Sequence, residues 1–115
     1  MKDDRVYLAH LRDAIDRIID YTAMGRSHFL GDTKTQDAVV RNLEILGEAA
    51  KNVSGELRQT HENVSWRRLA GMRDKLIHEY FGVNLDIVWQ VVERDLPILK
   101  QQVNEILDQL EAREL

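Results

Sequence analysis

Residues 66–80 read WRRLAGMRDKLIHEY, and the way this stretch coils decides the fold. At about 100° per residue, Trp66, Leu69, Met72, Leu76, Ile77 and Tyr80 gather on one face of a helix. Ser65 stands ready as its N-cap. Arg73 falls in the middle of the apolar face, about 20° from Tyr80. His78 lies about 140° away from Arg73, on the side shared by Arg67, Gly71 and Asp74. Asp74 and His78 are four residues apart, so the carboxylate reaches the imidazole, orients it and favours its charged form. A guanidinium on an apolar face needs a partner. Either Arg73 makes a structural ion pair, for instance with Glu44 or Glu48, or this part of the face lines a cleft. For Arg73 and His78 to act on one atom, the helix bends at Gly71, unwinds near Phe81-Gly82, or meets a second copy of the chain.

The flanking sequence repeats the helical period. A first helix is predicted from about Asp4 to Met24, capped by Asp3 or Asp4, with Leu8, Leu11, Ile15, Ile18 and Thr22 inward, widened by Ala14 and Ile19. Gly25 ends it and a loop, GRSHFLGDTK, follows. A second helix is predicted from about Thr35 to Val53. Thr33 and Gln36 make a capping-box pattern, and Val39, Leu43, Leu46, Ala50 and Val53 form the core stripe. Gly47, Ala49 and Ala50 let another helix approach closely. Gly55 is the expected stop, and residues 56–64 read as a polar connection with room for a short helical turn. After Phe81-Gly82-Val83, Asn84 caps a long element. Its apolar register (Leu85, Val88, Trp89, Val92, Leu96, Leu99, Val103, Ile106, Leu110) runs straight through Pro97. Proline removes a hydrogen bond and clashes with the preceding turn, so a kink or two helices nearly in line are expected, with Asp95 capping the second. The whole is an all-α fold, an antiparallel bundle of four to five helices, and the long stripe could also serve a homodimer interface.

The chain of 115 residues, 43% hydrophobic and 31% charged, fits a single helical domain over residues 1–115. It has no cysteine, which excludes disulfides and thiolate chemistry. No apolar run reaches the roughly 18 residues of a membrane span, and the start has no signal-peptide block. A cytoplasmic protein away from membranes is the default expectation. The net charge of -4 argues against whole-surface binding to nucleic acid. The charge is nevertheless uneven. Residues 1–83 balance at 13 basic and 13 acidic side chains, so the acid excess lies beyond them. Residues 66–75 carry Arg67, Arg68, Arg73 and Lys75 against Asp74 alone. That basic patch reads either as a solvated face or as a place for phosphates. Neither His-Glu dipeptide continues as H-E-x-x-H, and no P-loop or nucleophile elbow is present. His10, His28 and His61 read as surface residues, Trp66 and Trp89 as core or interface anchors, Tyr7 and Tyr21 as packing residues.

The pattern R-x-x-x-x-H-x-Y, with Asp directly after the Arg, resembles the motif of the HEPN superfamily. Arg73, Asp74, His78 and Tyr80 supply it. The bare pattern is unspecific, because many helical proteins contain it. Four blocks in order narrow the likeness: RNLEILGEA at 41–49, W-x-x-L-A-G-M-R at 66–73, HEYFGV at 78–83 and VW…DLP at 88–97. Together they resemble the HepT-like toxin branch over most of the chain. Val64-Ser65 departs from the proline that the family often has before Trp66.

The resemblance implies a helical homodimer with the motif in a cleft at the dimer interface. It implies a metal-independent endoribonuclease in which Arg73 and His78 act on the scissile phosphodiester, with Asp74 in support. It implies a partner, a minimal nucleotidyltransferase (MNT) antitoxin that transfers AMP from ATP to Tyr80. The ATP belongs to that partner, so no cofactor is expected in this chain. The residue types suit the task. RNA carries its own 2′-OH nucleophile, a histidine moves protons near neutral pH, and an arginine stabilises the charge of the pentacoordinate phosphorus. Arg67, Arg68 and Lys75 are candidates for contacts to flanking phosphates. The alternative is a non-catalytic HEPN module that binds a nucleotide or substrate for a nucleotidyltransferase.

Overall fold

The structure is a computed structural model and describes residues 3–78 and 84–114, without the side chains of Arg73, Leu76, Ile77, His78 and Glu114. The expectations for Leu76, Ile77, Tyr80 and the Phe81-Gly82-Val83 break lie outside what it describes. Among the described residues every element is helical: α1 (Asp4–Tyr21), α2 (Arg26–Gly31), α3 (Thr33–Asn52), α4 (Gly55–Thr60), α5 (Trp66–His78), α6 (Leu85–Gln90), a π-helical segment (Val91–Asp95) and α7 (Leu96–Glu114). The all-α bundle expected from periodicity is the fold found.

The centre of the bundle is α3, which packs against α1 on one side and α5 on the other, while α7 closes over α1. The apolar stripes explain this. Leu8, Leu11, Ala14, Ile15 and Ile18 of α1 are wholly buried, as are Val39, Leu43, Leu46 and Ala50 of α3 to within a few per cent. Ala49 and Ala50, both buried, keep one side of α3 thin where a neighbour packs. Val103, Ile106, Leu99 and Leu96 complete the core from α7. Ile19 and Tyr21 were expected to pack, but both point outward with more than a third of their surface exposed. They sit beyond the edge of the buried stripe, which is only about 100° wide.

Polar pairs fix how the helices lie against each other. Asp4 accepts both the backbone N–H and the hydroxyl of Ser54, at 2.8 and 2.6 Å. Arg17 donates to buried Asn42 across the α1–α3 contact at 3.3 Å, and Lys100 of α7 lies 3.0 Å from Asp16. The Arg26–Asp86 pair at 2.8 Å and the Phe29–Trp89 rings, 5.5 Å apart, join α2 to α6.

Several helix ends differ from the sequence expectation. The first helix stops at Tyr21 rather than Met24, because Thr22 turns its hydroxyl back onto the Ile18 carbonyl at 2.7 Å. Gly25 then adopts φ 93°, a conformation open to glycine, and starts α2 inside the segment expected to be a loop. The cap of α3 is Asp32, which accepts from the Thr35 amide and hydroxyl. Gln36 is not the partner of Thr33 in a capping box. Its amide donates instead to the Phe29 and Leu30 carbonyls, closing the end of α2. Gly55 does not stop a helix but opens α4 behind the Ser54 cap. Asp3 and Asn84 cap as expected, Asn84 accepting from the Asp86 and Ile87 amides.

The long C-terminal column solves its proline without a break. Leu96 donates its N–H to the Val91 carbonyl, five residues back. This π-type widening sits immediately before Pro97, which has no N–H to give to the carbonyl four residues back and whose ring crowds it. Asp95 is therefore within the column and caps nothing. Its carboxylate is used elsewhere, by Arg68.

Candidate functional site

Arg73, Asp74 and His78 of the motif lie on α5, and the N-terminal end of α5 is held at several points. Trp66 is buried and donates its indole N–H to the His61 carbonyl at 3.0 Å. Its backbone N–H donates to the Val64 carbonyl at 2.9 Å. One turn on, the Arg68 guanidinium meets Asp95 at 2.9 Å. Gln102 of α7 donates to the Asn63 carbonyl at 3.0 Å, fixing the approach to the helix. Between these ties lies a groove of about 180 Å³ whose wall includes Leu43, Leu69, Met72, Leu96, Arg68 and Asp95. Thus α5 is clamped where it begins, and the motif occupies its other end.

From this anchor α5 runs as uninterrupted α-helix through Gly71 to His78. Gly71 lies within this α-helix and does not interrupt it. At 100° per residue, position 73 lies between the buried Trp66 and Leu69, on the core-facing side. Position 78 lies about 140° round, in line with Arg67 and Gly71, both exposed. Asp74, on that same side, is half-buried. The side chains of Arg73 and His78, and the whole of Tyr80, lie outside the described residues. Of the expected phosphate contacts, Arg67 and Lys75 are exposed, whereas Arg68 is engaged by Asp95. Glu44, one suggested partner for Arg73, pairs with Arg41 at 3.3 Å; whether it also meets Arg73 lies outside the described residues.

Sequence reading missed one cationic residue beside the start of α5. Arg58, on the short helix α4, lines an open cleft of about 490 Å³ with Arg67 and Arg68. Its Nε is buried and has no hydrogen-bond partner. The signal was hidden because residues 56–64 read as a polar connection with room for only a short helical turn, although buried Leu57 and Val64 within it give the inward side. No group of three or more His, Asp or Glu side chains that could hold a metal ion comes together among the described residues. Nor is any helix there long and apolar enough to cross a membrane.

Comparison with known proteins places this geometry in a family. The family model described as "Ribonuclease HepT-like" matches residues 11–106, which include Arg73, His78 and Tyr80. A protein of Caldanaerobacter subterraneus named "Putative RNase" is 45% identical over 108 residues, covering 93% of this chain and 96% of that one. A Thermococcus cleftensis protein named "Probable ribonuclease HepT" is 46% identical over 95 residues, 82% of this chain and 86% of its own. A Methanocaldococcus jannaschii protein named "Gamma-glutamylcyclotransferase and putative RNase" is 40% identical over 111 residues, 96% of this chain but half of that longer one. No solved structure gives a significant match. An all-helical bundle with a family match across most of its length leaves one assignment: the chain belongs to the HepT-like ribonuclease family of the HEPN superfamily.

Proposed function

We propose that the chain is the toxin of a HEPN–MNT toxin–antitoxin pair, a metal-independent endoribonuclease that works as a homodimer. Family membership supports the reaction class. The course of α5 carries the assembly: a helix unbroken from Trp66 to His78 turns positions 73 and 78 about 140° apart. One helix then does not aim both residues at one phosphate. Two copies related by a two-fold axis do, with Arg73 of one protomer facing His78 of its partner.

The chemistry follows from the residue types. His78 takes the proton from a ribose 2′-OH, whose oxygen attacks the adjacent phosphorus. The P–O5′ bond breaks, leaving a 2′,3′-cyclic phosphate, and the departing 5′-oxygen takes a proton from water, to which the His78 imidazolium returns its own. Arg73 holds the non-bridging oxygens as charge builds on them. Asp74, one turn before His78, orients the imidazole. Arg67, Arg68 and Lys75 meet flanking phosphates, Arg68 only when it leaves Asp95. AMP on Tyr80, added by the nucleotidyltransferase partner from its own ATP, places a negative charge and a nucleoside near Arg73 and closes the cleft.

Replacing Arg73 or His78 by Ala tests this. Cleavage of RNA and growth inhibition should both fall by about 10²-fold or more with the fold intact. Survival of either activity in a folded variant rejects the nuclease assignment. A wild type that cuts nothing but still binds a nucleotidyltransferase would make it a non-catalytic partner. Mass spectrometry after incubation with that partner and ATP should show AMP-sized additions on Tyr80, and their absence would remove the modification step.

A further inference from the structure

The cleft at the α4–α5 junction lies away from the motif, and its side chains are not used up by the fold. Arg58, Arg67 and Arg68 line it together with Glu62, Ser65 and Trp66. Arg68 is taken by Asp95. Arg58 and Arg67 form no ion pair among the described residues, not even with Glu62 in the same cleft, and the Arg58 Nε is buried with nothing to accept its proton. A buried donor of a charged group left unsatisfied is unfavourable, and an anionic oxygen entering the cleft would relieve it. The first turn of α5 opens onto the same place, and its amides and dipole favour the same sign of ligand.

The cleft is also aligned with the motif. Positions 67, 71, 74 and 78 fall on one side of α5, within about 60° of each other. Residues 67 and 78 are about 16 Å apart along its axis. Arg67 and Gly71 are exposed, and a Cβ built on Gly71 meets nothing within 4 Å. Exposed Arg67 and Gly71 therefore lie on the line that runs from the cleft toward position 78. Asp74 edges it, half-buried, with exposed Lys75 beside it.

We propose that this cleft is a distal phosphate subsite, in which Arg58 and Arg67 hold an RNA phosphodiester on the side of α5 that leads to His78. It rests on the ribonuclease reading above and adds a register to it. At about 3.4 Å per stacked nucleotide, 16 Å corresponds to roughly five nucleotides, and fewer where the strand is extended. The subsite grips the strand without reading bases, so it sets a minimum substrate length rather than a sequence.

The test uses the intact dimer in a His78→Ala background, so that labelled single-stranded RNAs of graded length bind without being cut. Arg58→Gln and Arg67→Gln should each weaken binding of the longer RNAs about fivefold at 0.1 M salt. Each should also lower the slope of log K against log salt by about 0.7. RNAs too short to span from the cleft to position 78 should bind variant and parent alike. Arg58→Lys, which keeps the charge, should restore the slope, and unchanged melting curves guard against misfolding. Equal affinity and equal slope in folded Arg58→Gln, at every length, would overturn the subsite. Cleavage by the wild type without any Arg58 dependence sinks the subsite alone. Arg58-dependent binding by a wild type that never cleaves RNA sinks the nuclease reading alone, and an RNA that does not bind sinks both.

Discussion

The Arg68 guanidinium lies 2.9 Å from the Asp95 carboxylate, joining the first turn of α5 to the π-helical segment across 27 residues of sequence. Both side chains are substantially exposed, at 65% and 38%, so water and salt screen the attraction. The pair positions more than it stabilises. Asp95→Asn should destabilise the protein by no more than about 1 kcal/mol. A double-mutant cycle with Arg68→Met, read by denaturant unfolding, should return a coupling of the same small size. The freed Arg68 then becomes available to phosphate, so Asp95→Asn should bind RNA more tightly and with a steeper salt dependence. Unchanged RNA binding would mean that Arg68 does not reach the strand.

Mixing inactive partners reports on whether the active site is shared. Arg73→Ala and His78→Ala proteins are each expected to be inert. If the protein is the proposed homodimer, half of the dimers are mixed after co-refolding in equal amounts, and each mixed dimer holds one intact Arg73–His78 pair if the pair spans the two-fold axis. About a quarter of wild-type RNA cleavage should return. No recovery would place both residues of a site in one chain.

Trp66 supports the α4–α5 corner through both its ring and its N–H. Trp66→Phe keeps most of the ring and loses the bond to the His61 carbonyl, so a loss of roughly 1 kcal/mol is expected. Trp66→Ala empties the site and should cost about 3–5 kcal/mol, lowering the urea midpoint accordingly. Equal effects for the two variants would show that the ring contributes little packing.

Acid should loosen the α2–α3 corner through Asp32. Its pKa is lowered, first by the hydrogen bond from the Thr35 hydroxyl, which outweighs the opposing effect of burial, and then by the Thr35 amide and the charges of His28 and Lys34. A group whose pKa is lower in the folded state stabilises the fold above its unfolded value. That contribution disappears as pH falls below about 4. Asp32→Asn keeps a capping oxygen but cannot titrate there, so melting temperature plotted against pH should fall less steeply on the acid side than in the wild type. Identical acid limbs would acquit Asp32.

Gly71 sits within α5 at an exposed position with open space around it. Ala at such a place should raise helix stability by about 0.5–1 kcal/mol. If RNA or a second protomer passes close to that backbone, Gly71→Ala should at the same time weaken cleavage or dimerisation. A gain in melting temperature without loss of either function would leave the glycine without a reason in this fold.

Much of the bundle was legible because burial repeats at the helical period. The stripes at 8, 11, 15 and 18, at 39, 43, 46 and 50, and at 96, 99, 103 and 106 are the ones that meet in the core. What failed was chemistry that depends on choosing between neighbours. Asp32 and Thr33 are both good caps, and only the turn made by Phe29 and Leu30 decides between them, by engaging Gln36. The pairing of Arg68 with Asp95 is invisible to any local pattern. The cation at Arg58 was lost in a stretch whose two apolar residues, Leu57 and Val64, are too few to show a period. At the motif, the wheel assigned sides to positions 73 and 78, and the unbroken course of α5 keeps them there.

The π-helical segment ahead of Pro97 has an effect beyond tolerating a proline. One residue added to a column of α-helix turns everything upstream by about 100° relative to everything downstream. Upstream, Trp89 meets Phe29 and Asp86 meets Arg26, both on α2. Downstream, Lys100 meets Asp16 on α1. The segment thus acts as a phase shifter that lets one continuous rod face two different neighbours. Deleting a single residue between 91 and 95 should be far more damaging than replacing any one of them, because it would turn one end of the rod away from its partner while leaving the helix itself intact.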